Sequence, residues 1–496
     1  FLPNFKKLFK HGVVGVLNST VPSISPVAWS SISTGLNPGK HGIFGFVDRD
    51  FIPHSSRDIK GKAIWDLVSY AGKKVVCLNV PFTYPPYPIR GLMVAGPPCP
   101  RDELATYPPS LAKELRESGY RLDVNLPGEE YTGLRENDFL ADALAVTEAR
   151  AEAILSLADG QKWDLLYVVF TTLDRVQHVF FGRAMEDSPF YDRGGRNALL
   201  TYYRALDGLL GKVLREFDDD TLFVFVSDHG FEPLYRYVGL HNLVLDFLAR
   251  EKSYTLLYRW VLRLIGRMGL LSTIRETLDR LGLISMASRR AGGGFKCGLG
   301  YIYSDKPEDE AQLQMLMSFL MDVRDRGERV FERVYRREEI YWGPKLKMAP
   351  DLILVPRTGY EVKGVLPEKF RDVRPMEGMI YKTGTHAGFE ALKGFLALYG
   401  PGIKEGSRID ACVYDIAPTV LHVLGLPVPS DMDGEVLVRA FEEESEVARK
   451  PVRKARPSVR EMLSMKIRRL RGWGRARLLH ERNLITASSS EDIKTS

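Results

Sequence analysis

Leu222-Phe223-Val224-Phe225-Val226-Ser227-Asp228-His229-Gly230 is the stretch whose reading decides the fold. A five-residue apolar run is too short for a helix and does not alternate, so it reads as a strand buried on both faces. It stops abruptly in polar residues, with a glycine allowing a sharp turn. Two other runs have the same form. Leu165–Phe170 leads through Thr171 and Thr172 to Asp174, and Val13–Leu17 leads to Asn18-Ser19-Thr20. Further strands are expected at Lys74–Val80 and Phe395–Tyr399. Helices are expected after Tyr107-Pro108-Pro109, through Asn137–Leu157 and at Ile416–Leu424. Buried strands separated by helical patterns imply an α/β sandwich with a mostly parallel central sheet flanked by helices. Ligands of such sheets bind beyond the carboxyl ends of the strands, where these polar residues would sit.

The chain has 496 residues, 45% of them hydrophobic, which is ample for a large core. It contains no uncharged apolar run long enough for a membrane span. Its four cysteines are scattered and form no CxxC pair, which argues for a reducing, cytoplasmic compartment and against a thiolate metal site. The net charge of +6 is unevenly spread. Between Arg449 and Arg482, thirteen Lys/Arg face only Glu461 and Glu481, a net of +11 that leaves −5 for the rest. Such a tail reads as a solvated extension, partly disordered, that makes at most weak contact with an anionic membrane surface. With no aromatic interleaving and no recognised fold, it does not make a specific nucleic-acid binder. Tyr254–Leu271 places Arg259, Arg263 and Arg267 on one helical face. That pattern suits a helix packed on the core better than one lying on a membrane.

The nine histidines are few for this length, so their positions are informative. Asp174 and His178 are one helical turn apart and face the same way. Asp228 and His229 follow a strand, and His386 lies in the small-residue loop Gly384-Thr385-His386-Ala387-Gly388. Two Asp and three His on one sheet edge make a mixed N/O metal site suited to Zn²⁺ or Mn²⁺. A hydroxyl is available from Val21–Gly35, where five serines fall within eleven residues. The segment reads as a turn entering a helix, whose free backbone N–H groups can hold an anion. A metal-bound hydroxyl there becomes a nucleophile.

Together these fragments resemble the type I phosphodiesterase/nucleotide pyrophosphatase family of the alkaline-phosphatase superfamily. The likeness runs through Thr34-Gly35, Asn37-Pro38 and His41-Gly42-Ile43, then Asn79–Pro86, Asp174/His178, Ser227–Gly230 and Gly384–His386. It closes with Asp415–Leu421, Gly425-Leu426-Pro427 and Asp431-Met432-Asp433-Gly434. The resemblance implies a phosphoric ester hydrolase with an alkaline-phosphatase-like fold and two divalent ions, usually zinc. Asp174, His178 and His386 would hold one ion. Asp228, His229 and the nucleophile would hold the other. Counting back from Thr34-Gly35, that nucleophile is Ser25, with Ser23 as runner-up.

Two departures from the family pattern stand out. Relatives carry a metal-binding Asp at the end of a first strand, and the chain reads as lacking that strand ahead of Phe1–Leu8. Nucleotide pyrophosphatases also have a phosphoryl-binding Asn where Phe46 stands here. The expected organisation is a catalytic core at 1–245, a helical insertion at 246–294 and a cap returning to the core at 295–375. The core is completed at 376–440, and the basic tail occupies 441–496. A sulfatase is set aside, because neither Ser23 nor Ser25 begins a C/S-x-P-x-R frame. A phosphomutase or phosphotransferase of the superfamily, and a non-catalytic binding relative, are the alternatives.

Overall fold

The structure is a computed structural model describing residues 1–59, 61–99, 104–125, 134–159, 162–217, 219–251, 290–291 and 294–456. The expected helices of the insertion, with Arg259, Arg263 and Arg267, lie outside the described residues, as does most of the basic tail.

The apolar runs form strands Val13–Asn18, Val75–Val80, Leu165–Val168, Phe223–Val226 and Lys393–Tyr399. They build two four-stranded sheets. One has the order Ala411–Cys412, Val13–Asn18, Lys393–Tyr399, Phe223–Val226. The other has the order Thr106–Tyr107, Gly91–Ala95, Val75–Val80, Leu165–Val168. Helices Ser25–Thr34, Ile64–Tyr70 and Ile416–Val423 cover one face of both sheets, packing Ile32, Val68 and Leu421 into a core with Leu17, Val75 and Leu396. On the other face, Leu111–Glu117 and Glu136–Asp159 cover one sheet through Leu115 and Ile154. Pro3–His11 and Arg193–Glu216 cover the other sheet through Leu8 and Leu210. The result is the expected three-layer α/β sandwich.

Two strands run against their neighbours. Thr106–Tyr107 is antiparallel to Gly91–Ala95 at an outer edge, and Lys393–Tyr399 is antiparallel to both Val13–Asn18 and Phe223–Val226. Its direction matters for the site. An antiparallel strand begins at the edge where its parallel neighbours end, so the loop before Lys393 joins the loops after Val168 and Val226.

Strands Leu165–Val168 and Phe223–Val226 each have a ladder partner on one side only. All eight residues are part-exposed although both faces of each strand are covered by helices. The exposure is therefore edgewise, and the unpaired amides should be labile. Hydrogen exchange should be measurably faster at these two strands than at Val75–Val80, which is paired on both sides. Equal protection of all three would show that the edges are covered.

Strand Glu232–Gly239 carries the chain away from Asp228-His229 to a second lobe. There an antiparallel sheet has the order Phe331–Arg336, Leu352–Pro356, Tyr301–Ser304, Phe295–Cys297, Arg290–Ala291. Helices Leu240–Glu251 and Glu310–Met321 pack on it around Phe247, Ile302, Leu313 and Leu316. The chain returns through Gly359–Lys363, parallel to Glu232–Gly239, and then Gly384–Thr385, antiparallel to it. The register Thr385↔Glu232 brings His386 back beside His229.

Several of the motif residues serve the scaffold. Asp433 accepts from Asn37 N (2.8 Å), Lys40 Nζ (2.6 Å) and Trp342 Nε1 (2.8 Å), tying the last motif to the start of helix Pro38–His41. His41 is fully buried between Ser31 Oγ and the Ile43 amide, and burial pushes its imidazole down to about 3. It is a neutral core residue. All four cysteines are free, and no helix among the described residues is long and apolar enough to cross a membrane.

Candidate metal centre and nucleophile

Asp174 occupies the first turn of helix Thr172–Ala184, and His178 follows one turn later on the same face. Their side chains meet, with His178 Nε2 3.5 Å from Asp174 Oδ2. Asp228 and His229 arrive from the end of Phe223–Val226. Ser19 Oγ donates to the Asp228 carbonyl at 2.5 Å, and Ser227 Oγ accepts from the Phe395 amide at 2.7 Å, which fixes this turn between two strands. His386 completes the set, 3.9 Å from Asp174 Oδ1 through Nε2, while His229 Nε2 is 4.0 Å from the same oxygen. The loop carrying His386 lies tight against the helix. A Cβ on Gly384 would stand 2.3 Å from the Gln177 carbonyl oxygen, so only glycine fits there.

Hydrogen bonding fixes how the three imidazoles face. The Nδ1 atoms of His178, His229 and His386 lie 2.9, 3.0 and 2.8 Å from the carbonyl oxygens of Gly384, Gly230 and Ser23. A carbonyl only accepts, so each Nδ1 carries the proton and donates. Burial pushes both the His178 and His386 imidazoles well below the ordinary histidine range, and the nearby Lys382 charge adds to this. With Nδ1 so engaged, each ring turns Nε2 toward carboxylate oxygens, and for the neutral His178 and His386 rings that sets acceptor against acceptor. His229 Nε2 stands 3.3 Å from Asp228 Oδ2, and neither atom has a hydrogen-bond partner. Asp174 Oδ1 is likewise buried without one. Buried acceptors pointed at each other are costly unless a cation lies among them. The donor set, imidazole nitrogen and carboxylate with carbonyls holding the far side of each ring, fits a divalent metal ion.

The ligand atoms of Asp174, His229 and His386 lie within 4.8 Å of one another. This trio takes members from both of the expected ligand groups, so the two groups form one contiguous cluster. Burial is the largest influence on both carboxylates and pushes them up. For Asp174 neighbouring positive charge, that of Arg175 and Lys382 included, works against burial, and the carboxyl is held below its usual range. For Asp228 burial wins, reinforced by the charge of Asp174, and the carboxyl is raised.

Ser25 is the first residue of helix Ser25–Thr34, and its hydroxyl lies beside the Asp228 side chain, where it favours the charged carboxylate. Ser23 has another place. Its Oγ donates to the His386 carbonyl at 2.6 Å while its own carbonyl accepts from His386 Nδ1, a reciprocal clasp. Ser23 therefore positions His386. Ser23→Ala should weaken metal binding about tenfold, in line with loss of a supporting contact behind a ligand, when measured by calorimetric titration. Unchanged affinity would show that the clasp is dispensable.

Part of this helix start is committed: Pro26 has no N–H, and the amides of Val27 and Ala28 are donated to the Ile24 carbonyl at 3.0 and 3.1 Å, which leaves the Ser25 amide as the one that can face an anion.

Residues 1–379 match the family described as type I phosphodiesterase/nucleotide pyrophosphatase. The chain belongs to this family. A solved structure of murine ectonucleotide pyrophosphatase/phosphodiesterase 5, an inactive variant in complex with AMP, has a similar fold. The TM-score is 0.50 at 13% identity, over 88% of this chain and 93% of that one. A 54-residue segment is 43% identical to 2,3-bisphosphoglycerate-independent phosphoglycerate mutases of Trichodesmium erythraeum and a Cyanothece species. That match covers 11% of this chain and 10% of the length of those curated relatives.

Within this type I phosphodiesterase, sequence reading overlooked Ser19, the positioning role of Ser23, and the buried pair Lys382–Glu361 behind the His386 loop. Lys382 was detectable as a charge two residues from Gly384. Glu361 lies in an ordinary alternating strand and gave no signal.

Proposed function

We propose that this protein is a metal-dependent phosphohydrolase, a phosphodiesterase or phosphatase, with Ser25 as nucleophile and two divalent ions, zinc or manganese. The observation that carries the reading is the convergence of imidazole lone pairs and buried carboxylate oxygens on one space beside the Ser25 hydroxyl. Asp174, His178 and His386 would hold one ion, and Asp228, His229 and Ser25 the other. Bound there, the ions would polarise a phosphoryl oxygen and lower the pKa of the serine hydroxyl.

The chain's own residues do the rest. Asp228 orients the Ser25 hydroxyl, and the helix behind Ser25 fixes its backbone. Ser25 Oγ forms a bond to phosphorus as the ester P–O bond breaks and the alcohol departs. Water then displaces the serine and releases phosphate or a phosphomonoester. The Nδ1–H bonds keep all three imidazoles turned toward the reacting centre. We place the protein in a reducing, cytoplasmic compartment, in keeping with four free cysteines, and its substrates among small phosphate esters.

A panel of p-nitrophenyl phosphate, bis(p-nitrophenyl) phosphate, a phosphonate ester and AMP, assayed with Zn²⁺ or Mn²⁺, tests this reading. Hydrolysis of at least one member is expected, and inertness to all would overturn it. The short likeness to phosphoglycerate mutases favours a second reading, transfer of the Ser25-bound phosphoryl group to an alcohol. Product analysis with added acceptor alcohols separates the two.

A further inference from the structure

The carboxyl of Asp174 is held in one orientation. Its Oδ2 accepts from Arg175 Nη1 at 3.1 Å. Its Oδ1, buried and without a hydrogen-bond partner, faces Nε2 of His386 at 3.9 Å and of His229 at 4.0 Å. Pinning one oxygen turns the bare one toward the imidazoles. Sequence adjacency does not explain this grip, because neighbouring residues on a helix do not face each other.

Arg175 folds back onto Asp174 because Asp123 holds it. Its Nε and Nη2 both donate to Asp123 Oδ2, at 3.1 and 3.0 Å. Asp123 is itself a fixed point, in a segment stapled to helix Glu136–Asp159. Arg121 pairs with Asp142 at 2.7 Å, and the Asn125 amide donates to the same carboxylate at 2.9 Å. The fully buried Arg150 donates from Nη2 to the carbonyls of Arg121 and Leu122, at 3.2 and 2.5 Å. A planar guanidinium fork can span two carboxylates, which a lysine ammonium does less well. Asp123 also sets a negative charge on the far side of Arg175, which lessens the repulsion between the guanidinium and a cation at Asp174.

Resting on the metal-dependent reading above, we propose that Arg175 and Asp123 are positioning residues that set the orientation of the Asp174 carboxylate and with it the affinity for a divalent ion. They act through Asp174. Asp123 lies outside every motif that the Asp/His cluster draws on.

The test uses the whole chain, stripped with chelator and titrated with Mn²⁺ by calorimetry. Arg175→Met should weaken Mn²⁺ binding about tenfold or more, the loss expected when a group supporting a ligand is removed. Asp123→Ala should come close to the same loss, although it sits one residue further from the cluster. The double variant should be no weaker than Arg175→Met, because both changes break one connection. The metal-free Tm of each should stay within a few degrees of wild type. Arg121→Met removes an ion pair from the same segment and should change Mn²⁺ affinity by less than about twofold.

Wild-type Mn²⁺ affinity in Arg175→Met would overturn the proposal. Losses that simply add in the double variant would also overturn it, since the two residues would then act separately. An equal loss in Arg121→Met would do the same, because the segment would then be a strut. Metal binding is read without turnover. A wild type that binds Mn²⁺ with this dependence on Arg175 but hydrolyses nothing would sink the hydrolase reading alone. A wild type that binds no Mn²⁺ would sink both.

Discussion

Ser25→Ala should abolish phosphate-ester hydrolysis, with kcat falling on the order of 10³-fold or more, while the protein stays folded. Loss of the hydroxyl removes the group that attacks phosphorus and one metal-facing oxygen together. The fold has little reason to change. Ser25 is at the half-buried start of its helix, preceding the buried run Pro26–Thr34, and Pro26 sets the first turn whichever residue precedes it. Thermal melting should therefore remain within a few degrees of wild type while the rate collapses. The control is Ser23→Ala, which should keep a measurable rate at saturating metal because Ser23 acts through His386. An active Ser25→Ala beside a dead Ser23→Ala would move the nucleophile by two residues.

Asp174→Asn should produce the other large effect. Asp174 is the hub of the cluster, approached by His178 on one oxygen and by His229 and His386 on the other. An amide in its place removes a negative charge and turns a donor toward at least one Nε2 lone pair. Metal affinity and rate should fall together, each by at least about 100-fold. Thermal stability of the metal-free protein should change far less. The lost charge had relieved no hydrogen-bond debt at Oδ1, although its ion pair with Arg175 at 3.1 Å would go. A variant retaining metal but lacking activity would show that Asp174 serves catalysis without ligation.

The legible parts of the fold were those set by local chemistry. Leu222–Val226 and Leu165–Phe170 are continuous apolar runs, and each leads into the Asp or His residues of the cluster. Asp174 and His178 share a face because of helical spacing alone. The antiparallel course of Lys393–Tyr399 was not legible, because strand direction depends on where the chain re-enters after the second lobe. Yet that direction puts His386, which precedes its strand, with ligands that follow theirs. The helix start keeps only part of its amides free, because Pro26 has none and Val27 and Ala28 bond to Ile24. Serines 23 and 25 look alike in sequence, and only their partners, His386 in one case and Asp228 in the other, separate their roles. Lys382 and Glu361 meet across more than twenty residues of sequence, which no local pattern encodes.

The central claim is that the Asp/His cluster holds the metal ions on which phosphate-ester hydrolysis depends. Its most direct test is hydrolysis of bis(p-nitrophenyl) phosphate and p-nitrophenyl phosphate by chelator-stripped protein, before and after titration with Zn²⁺ or Mn²⁺, in parallel with Asp174→Asn. The account predicts no turnover when stripped, recovery on adding metal to the wild type, and no recovery in Asp174→Asn. Full turnover by protein shown to be metal-free would contradict it.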